Sequence, residues 1–153
     1  SQLIRDWIDA VADMDDMPVS DIIEGVSQQT LPTAVKAAYD APFPDASFKA
    51  GALALPGLIP ITETMPGSRE NRQVWERLLA NWHKPFVTAF SDGDPSTKPW
   101  EDLFQSRIPG ANNPFNTEIK GAGHFVQEDQ GEALADLVLK LQQSLDSAEE
   151  QAS

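Results

Sequence analysis

"KPFVTAFSDGDP", residues 84–95, is the stretch on which the fold turns. Its first seven residues are short, apolar and opened by a proline. A turn-forming run of Ser, Asp and Gly follows. Such a run reads as a strand buried on both faces rather than as a helix, which needs greater length. A strand is therefore expected over 85–90, with a loop carrying Asp92 and Asp94 at its carboxyl end. Just upstream, Val74, Trp75, Leu78, Leu79 and Trp82 fall on one helical face. Downstream, Trp100 to Ile108 reads as a helix closed by Pro109-Gly110. Phe115, Thr117 and Ile119 then alternate, giving a second strand over 115–120. Asp129 and Glu132 have capping-box spacing. They precede a helix with Leu134, Leu137, Val138, Leu141 and Leu145 on one stripe, and from Ser147 a polar tail is expected to fray. The order helix–strand–helix–strand–helix implies α/β architecture with parallel strands.

The first part of the chain is helical in pattern. Leu3, Ile4, Trp7, Ile8 and Val11 share a face, and Pro18 ends the run. Ser20 to Val26 is a short helix, and Pro32 suits the first turn of another through Tyr39. Prolines in "APFPDASFKAGALALPGLIPI", residues 41–61, forbid a long regular element, so short helices and turns over an apolar pocket are expected. Ile61 to Arg69 reads as a loop. Two strands do not make a stable parallel sheet, because such sheets are covered on both faces. The remaining strands are expected from outside these residues. The start, Ser1-Gln2-Leu3-Ile4, lies already inside an apolar helical pattern, so the chain reads as a piece of a longer polypeptide.

Composition narrows the function. The 153 residues suit a domain of ordinary size, and 41% apolar content supports a core. The 24 acidic residues against 11 basic ones give a net charge of -13, a field that repels nucleic acid and anionic membrane surfaces. No apolar run approaches membrane-spanning length. With no cysteine, disulfides, thiolate metal sites and a cysteine nucleophile are excluded.

Ligands of open α/β sheets bind outside the carboxyl ends of the strands. Asp92 and Asp94 follow the first strand, and His124, within "GAGHFVQED" (121–129), follows the second. If the strands are parallel, these loops share an edge, where a carboxylate can fix the tautomer of an imidazole and stabilise its protonated form. His83 precedes the first strand and belongs at the opposite edge. Taken alone, His124 is equally a ring filling a Gly-rich turn, and Asp94 equally a turn residue. Spacing does not choose between Asp92 and Asp94. Glu128 reads as a carboxylate near a helix start. No G-x-S-x-G or G-x-D-x-G elbow, phosphate-binding loop or H-E-x-x-H occurs. Gly121-Ala122-Gly123 is no dinucleotide fingerprint, since Val126 stands at the third glycine position. Two histidines far apart argue against a metal site. The residues thus supply a candidate base and its orienter but no nucleophile.

"YDAPFPDASFKAG" (39–51), "KPFVTAFSDGDP" (84–95), "IPGA" (108–111) and "GAGHFVQED" (121–129) occur in this order. Together they resemble the haloalkane dehalogenases of the α/β-hydrolase superfamily, over a stretch corresponding to that family's carboxyl-terminal half. "GAGHF" is shared widely among α/β-hydrolases; "DAPFPD" with "FSDGDP" is more specific. The resemblance implies the carboxyl-terminal part of an α/β-hydrolase fold: two last parallel strands with flanking helices (residues 69–153), preceded by part of a helical cap (residues 1–68). It matches His124 to the general base and Asp94, the second acid of "SDGDP", to the triad acid. It matches Trp7 to a cap tryptophan whose indole N–H holds the leaving halide, although burial on the stripe 3-4-7-8-11 would equally explain that residue. Leu55, Pro56 and Ile59 match pocket-lining positions, with plain packing as the alternative.

The reaction implied for the complete protein is hydrolysis of a haloalkane to an alcohol and a halide through an alkyl-enzyme ester, without cofactor or metal. The family's Asp nucleophile, a second halide-binding tryptophan and the oxyanion-hole segment fall in its amino-terminal half, and none is here. The fragment alone is therefore expected to be inactive. Expected partners are a small haloalkane and halide, with no nucleic acid and no membrane. A monomer when complete and a cytoplasmic location are expected. An epoxide hydrolase shares the fold and the Asp–His pair but usually uses two cap tyrosines, and this chain has one, Tyr39. A serine esterase would look the same in this half. A non-catalytic module with a structural His124 is the reading from a different class.

Overall fold

In a computed structural model the described residues are 2–152, which divide into two compact units. Among these, the first comprises residues up to 25 and 30–80, the second 26–29 and those from 81 on.

The first unit is helical. Helix α1 (Gln2–Ala12) carries the stripe expected of it and buries Val11. Helices α2 (Val19–Val26) and α3 (Thr33–Asp40) are joined by polar clamps. Asp40 accepts from the Ser20 amide at 3.1 Å and its hydroxyl at 2.7 Å. Lys36 reaches Asp21 at 2.7 Å and Glu24 at 2.8 Å. Pro32, whose fixed φ and missing N–H suit a helix entry, precedes α3, and its carbonyl accepts from Val35 and Lys36. The proline-rich 41–61 stretch breaks up as expected. A 3-10 turn (Ala46–Lys49), α4 (Ala50–Ala54) and a second 3-10 turn (Leu55–Leu58) follow one another. Helix α1 packs against α4 and the turn at Leu55–Leu58. Helix α5 (Ser68–Arg77) is shorter than its apolar pattern suggests. Leu78 donates to the Val74 carbonyl, a 3-10 turn at Leu79–Asn81 takes over, and Val74 and Leu78 stand exposed rather than buried.

The second unit holds the sheet. Strands β1 (Ala89–Ser91) and β2 (Thr117–Ile119) pair in parallel, with Ala89, Phe90 and Ser91 opposite Thr117, Glu118 and Ile119. The parallel arrangement follows the expectation, but both strands are half the expected length. Asn113 to Asn116 is occupied by a turn, in which Asn113 accepts from the Phe115 and Asn116 amides. Phe86 finds its partner in the Gly110 carbonyl at 3.0 Å, and Thr88 in the Asn116 side chain at 3.0 Å. The amides of Phe86 and Thr88 are thus satisfied by turn residues, and the Thr88 carbonyl accepts from the Thr117 amide of β2 at 3.0 Å. The connection between the strands runs through a 3-10 turn (Lys98–Trp100), α6 (Glu101–Arg107) and a 3-10 turn (Pro109–Ala111). Phe104 of α6 packs its ring on Phe86 and Phe90, at centroid distances of 5.9 and 6.0 Å.

Helix α7 (Val126–Ala152) corrects the reading of the carboxyl end twice. The helix starts three residues before Asp129 and is interrupted at Gln130, whose φ of -141° and ψ of 42° are not helical. Asp129 is no N-cap of a capping box: its carboxylate accepts from the amides of Gln28, Gln29 and Gly123. Beyond Ser147 the chain stays helical to Ala152 instead of fraying. Hydrogen bonds four residues apart, Gln142 to Asp146 and Ser147 to the Gln143 carbonyl, support the turns that lead up to it.

Candidate active site

The two loops at the carboxyl ends of β1 and β2 are stitched to each other. Asp92 N donates to the Ile119 carbonyl at 3.0 Å and Gly93 N to the Ala122 carbonyl at 2.9 Å. The Asp92 carboxylate accepts from Gly121 N at 2.9 Å and Ala122 N at 3.3 Å. The buried Ser91 hydroxyl donates to the Gly123 carbonyl at 2.7 Å. A side chain at 93 would meet the Ala122 carbonyl at 2.6 Å, so glycine is what lets the loops lie this close. Gly121, with a φ of 70°, turns the second loop in the left-handed region that glycine adopts without strain.

This stitching brings Asp94 and His124 together. His124 Nδ1 lies 2.9 Å from Asp94 Oδ2. Asp94 keeps 3% of its side chain exposed and His124 45%, so the acid is sealed behind a ring that remains open to solvent. Burial pushes the Asp94 carboxyl up. Hydrogen bonds from the Ser96 and Thr97 hydroxyls, His124 and the Ser96 amide more than offset this and hold it well below the usual carboxylate range. An ionised Asp94 accepts only, so Nδ1 carries the proton when the ring is neutral. Ser96 Oγ, 3.2 Å from the same nitrogen, shares that donor. Nε2 has no hydrogen-bond partner among the described residues and is left as the basic nitrogen. The Phe125 ring packs edge-on against the imidazole at 5.3 Å.

The geometry separates the candidates that spacing left open. Asp92 is a backbone clamp on the Gly121 and Ala122 amides, whereas Asp94 meets the His124 ring. His83 is exposed and sits before β1. In the first unit, Trp7 is half-buried on α1. Pro56 is buried, and Leu55 and Ile59 are exposed, in the turn that packs against that helix. Ser96 and Thr97 escaped the sequence reading, and Asp129 entered it only as a helix cap. For the first two a signal existed: hydroxyl residues two and three positions after an Asp bond back to it in local turns. A groove of about 540 Å³ between β2 and α7, lined by Phe115, Ile119, Leu137 and Lys140 among others, contains neither Asp94 nor His124. Among the described residues no cluster of three or more His, Asp or Glu is placed to hold a metal ion. No helix there is long and apolar enough to cross a membrane.

No protein-family profile matches the chain. It is 41% identical over 136 residues to a haloalkane dehalogenase of Psychrobacter cryohalolentis, a match covering 89% of this chain and 45% of that protein. It is 38% identical over 126 residues to a haloalkane dehalogenase of Mycobacterium marinum, covering 82% and 42%. Among solved structures, a haloalkane dehalogenase of Paraglaciecola agarilytica, described as tetrameric, superposes with a TM-score of 0.74 at 23% identity, over 84% of this chain and 42% of that one. The chain spans less than half the length of the curated relatives it matches. Its fold is accordingly part of an α/β-hydrolase fold, and its sequence is similar to part of a haloalkane dehalogenase.

Proposed function

We propose that the complete protein hydrolyses haloalkanes to an alcohol and a halide, with His124 as general base and Asp94 as its orienting acid. The observation that carries this is the 2.9 Å approach of His124 Nδ1 to Asp94 Oδ2 across two loops that follow parallel strands. The similarity to haloalkane dehalogenases supplies the substrate class. In this reading residues 1–68 form part of a cap and residues 69–153 the last part of the catalytic core. A carboxylate from outside the chain attacks the carbon bearing halogen. The carbon–halogen bond breaks, halide leaves with the electron pair, and an alkyl ester remains. His124 Nε2 then takes a proton from water, and the resulting hydroxide attacks the ester carbonyl carbon. The alcohol departs with a proton and the carboxylate is restored. Asp94, held ionised by four hydrogen bonds, stabilises the imidazolium between those steps. The indole N–H of Trp7 stabilises the charge growing on the halide, and Leu55, Pro56 and Ile59 line the substrate's path. None of these steps uses a cofactor or metal. Because the solved neighbour is tetrameric, the monomer expected from the sequence has no support from it, and sizing of the complete protein decides that state.

The test is halide release by the complete protein with a short bromoalkane. His124→Gln should release a single equivalent of bromide and retain the alkyl group as a mass increment on the protein. Asp94→Asn should slow turnover by about two orders of magnitude. Sustained turnover by His124→Gln, with no trapped ester, would overturn the reading.

A further inference from the structure

The segment Val26–Gln29 lies against the His124 loop and is fixed there by one buried carboxylate. Asp129 Oδ2 accepts from Gln28 N at 2.9 Å and Gly123 N at 2.7 Å; Oδ1 accepts from Gln29 N at 2.9 Å. The Gln29 side chain returns a bond to the Asp129 carbonyl at 2.8 Å. The backbone of the histidine itself is part of the arrangement, since His124 N donates to the Val26 carbonyl at 2.8 Å. The approach is close. A side chain at Gly123 would meet the Val26 carbonyl at 2.3 Å and the Ser27 backbone at 3.1 Å. Burial pushes the Asp129 carboxyl up, and its three amide donors more than offset this and hold it below the ordinary range, so it is ionised and able to accept every one of these bonds.

We infer that Asp129 is a positioning residue for the base: by seating the Val26–Gln29 strap against Gly123 and His124 it sets the backbone from which the imidazole meets Asp94. The inference rests on the pairing of His124 with Asp94 proposed above. The chemical logic is one of acceptors. Two strap amides and the Gly123 amide converge on a site with no backbone carbonyl to receive them, and a buried N–H left without an acceptor is costly. One ionised carboxylate receives all three. Without it the strap loses the two amide bonds, from Gln28 and Gln29, that seat it against the Gly123 amide's acceptor. The ring is then free to leave Asp94, because its open face offers no second partner to Nε2 among the described residues.

The chain has two histidines, so a long-range proton–nitrogen spectrum of protein labelled with ring ¹⁵N-histidine reads His124 with His83 as an internal reference. In the unaltered protein His124 should be in the Nδ1–H form when neutral. Asp129→Asn should abolish that preference, with His83 unchanged. Gly123→Ala, which keeps the carboxylate but pushes the strap away, should do the same. Its backbone φ is not in the left-handed region, so space alone is changed. Asp40→Asn, which removes a comparable clamp on Ser20 in the other unit, controls for general loosening and should leave His124 as it was. Retention of the Nδ1–H form in Asp129→Asn or, should that variant fail to fold, in Gly123→Ala overturns the inference. A failure of the underlying pairing looks different: Asp94→Asn would then leave the tautomer untouched.

Discussion

Gly93 donates its amide to the Ala122 carbonyl at 2.9 Å, and this bond ties together two loops that are 30 positions apart at Asp94 and His124. The acid and the base do not meet because their own side chains seek each other out. They meet because the backbones beneath them are already joined by Gly93, Asp92 and Ser91.

Asp92 is an exposed joint between the loops. Its carboxylate holds the Gly121 and Ala122 amides. Asp92→Ala should lower the stability of the folded chain by about 1–2 kcal/mol, the net worth of two such bonds. Urea unfolding followed by tryptophan fluorescence checks this, and an unchanged midpoint would show the clamp to be idle.

Gly110 is confined between other backbone groups. Its amide donates to the Trp82 carbonyl, its carbonyl accepts from Phe86, and a side chain there would fall 1.9 Å from the Lys84 carbonyl. Backbone cannot rotate aside as a flexible side chain would. Gly110→Ala is expected to destabilise by about 1–3 kcal/mol or more, as for other overpacked sites. Thermal unfolding gives the value; a melting point equal to that of the parent contradicts the packing described.

Acid should weaken the second unit. Asp94 and Asp129 both have folded pKa values below the ordinary one. A carboxyl depressed in this way contributes stability in full above its unfolded pKa of about 3.9 and loses it as pH falls through the folded value. The urea midpoint is therefore expected to hold, as far as these groups decide it, from neutral pH down to about 5, then to decline steadily below about 4. In Asp129→Asn that decline should be shallower, since one of the linked protons is gone. A decline of the same slope would remove Asp129 from the linkage.

Thr97 separates the two duties of Asp94's partners. Its hydroxyl binds Oδ2, the oxygen that also meets the imidazole. Thr97→Ala leaves that oxygen to His124 but raises the Asp94 pKa, since one of the bonds opposing burial is lost. A carboxyl ¹³C titration of Asp94 should show the rise, while the His124 tautomer stays as it is. A shift of the tautomer instead would make Thr97 an orienter of the ring.

The chain by itself should release no bromide from a bromoalkane above the rate in buffer, because the proposed reaction takes its attacking carboxylate from outside these residues. Ion chromatography of the purified chain is sufficient. Measurable release would place a nucleophile among these 153 residues.

What could be read from the sequence was the order of elements and its consequence. Two apolar stretches separated by a helical one put Asp94 and His124 on loops at the same edge, and the parallel register bears that out. The length of the strands was not legible. Hydrophobicity over 84–88 and 115–116 reports burial, while the backbone partners there are the Gly110 carbonyl and the Asn116 amide side chain, which no local pattern announces. Asp129 was misread for a similar reason. Its spacing to Glu132 satisfies the capping-box pattern, yet its donors Gln28 and Gln29 lie about a hundred positions away. Likewise the apolar stripe of α5 predicts a buried face, but Val74 and Leu78 are exposed. Periodicity gives the face of a helix and says nothing of what covers it.

Four residues from early in the chain, 26–29, belong to the same compact unit as everything after Asn81. Excising residues 81–153 as a minimal piece would therefore retain both members of the Asp–His pair and still damage it. Asp129 would lose two of its three amide donors, the His124 amide its acceptor, and Gly123 the backbone it nestles against. Any attempt to shorten, permute or recombine this polypeptide has to carry that distant tetrapeptide along.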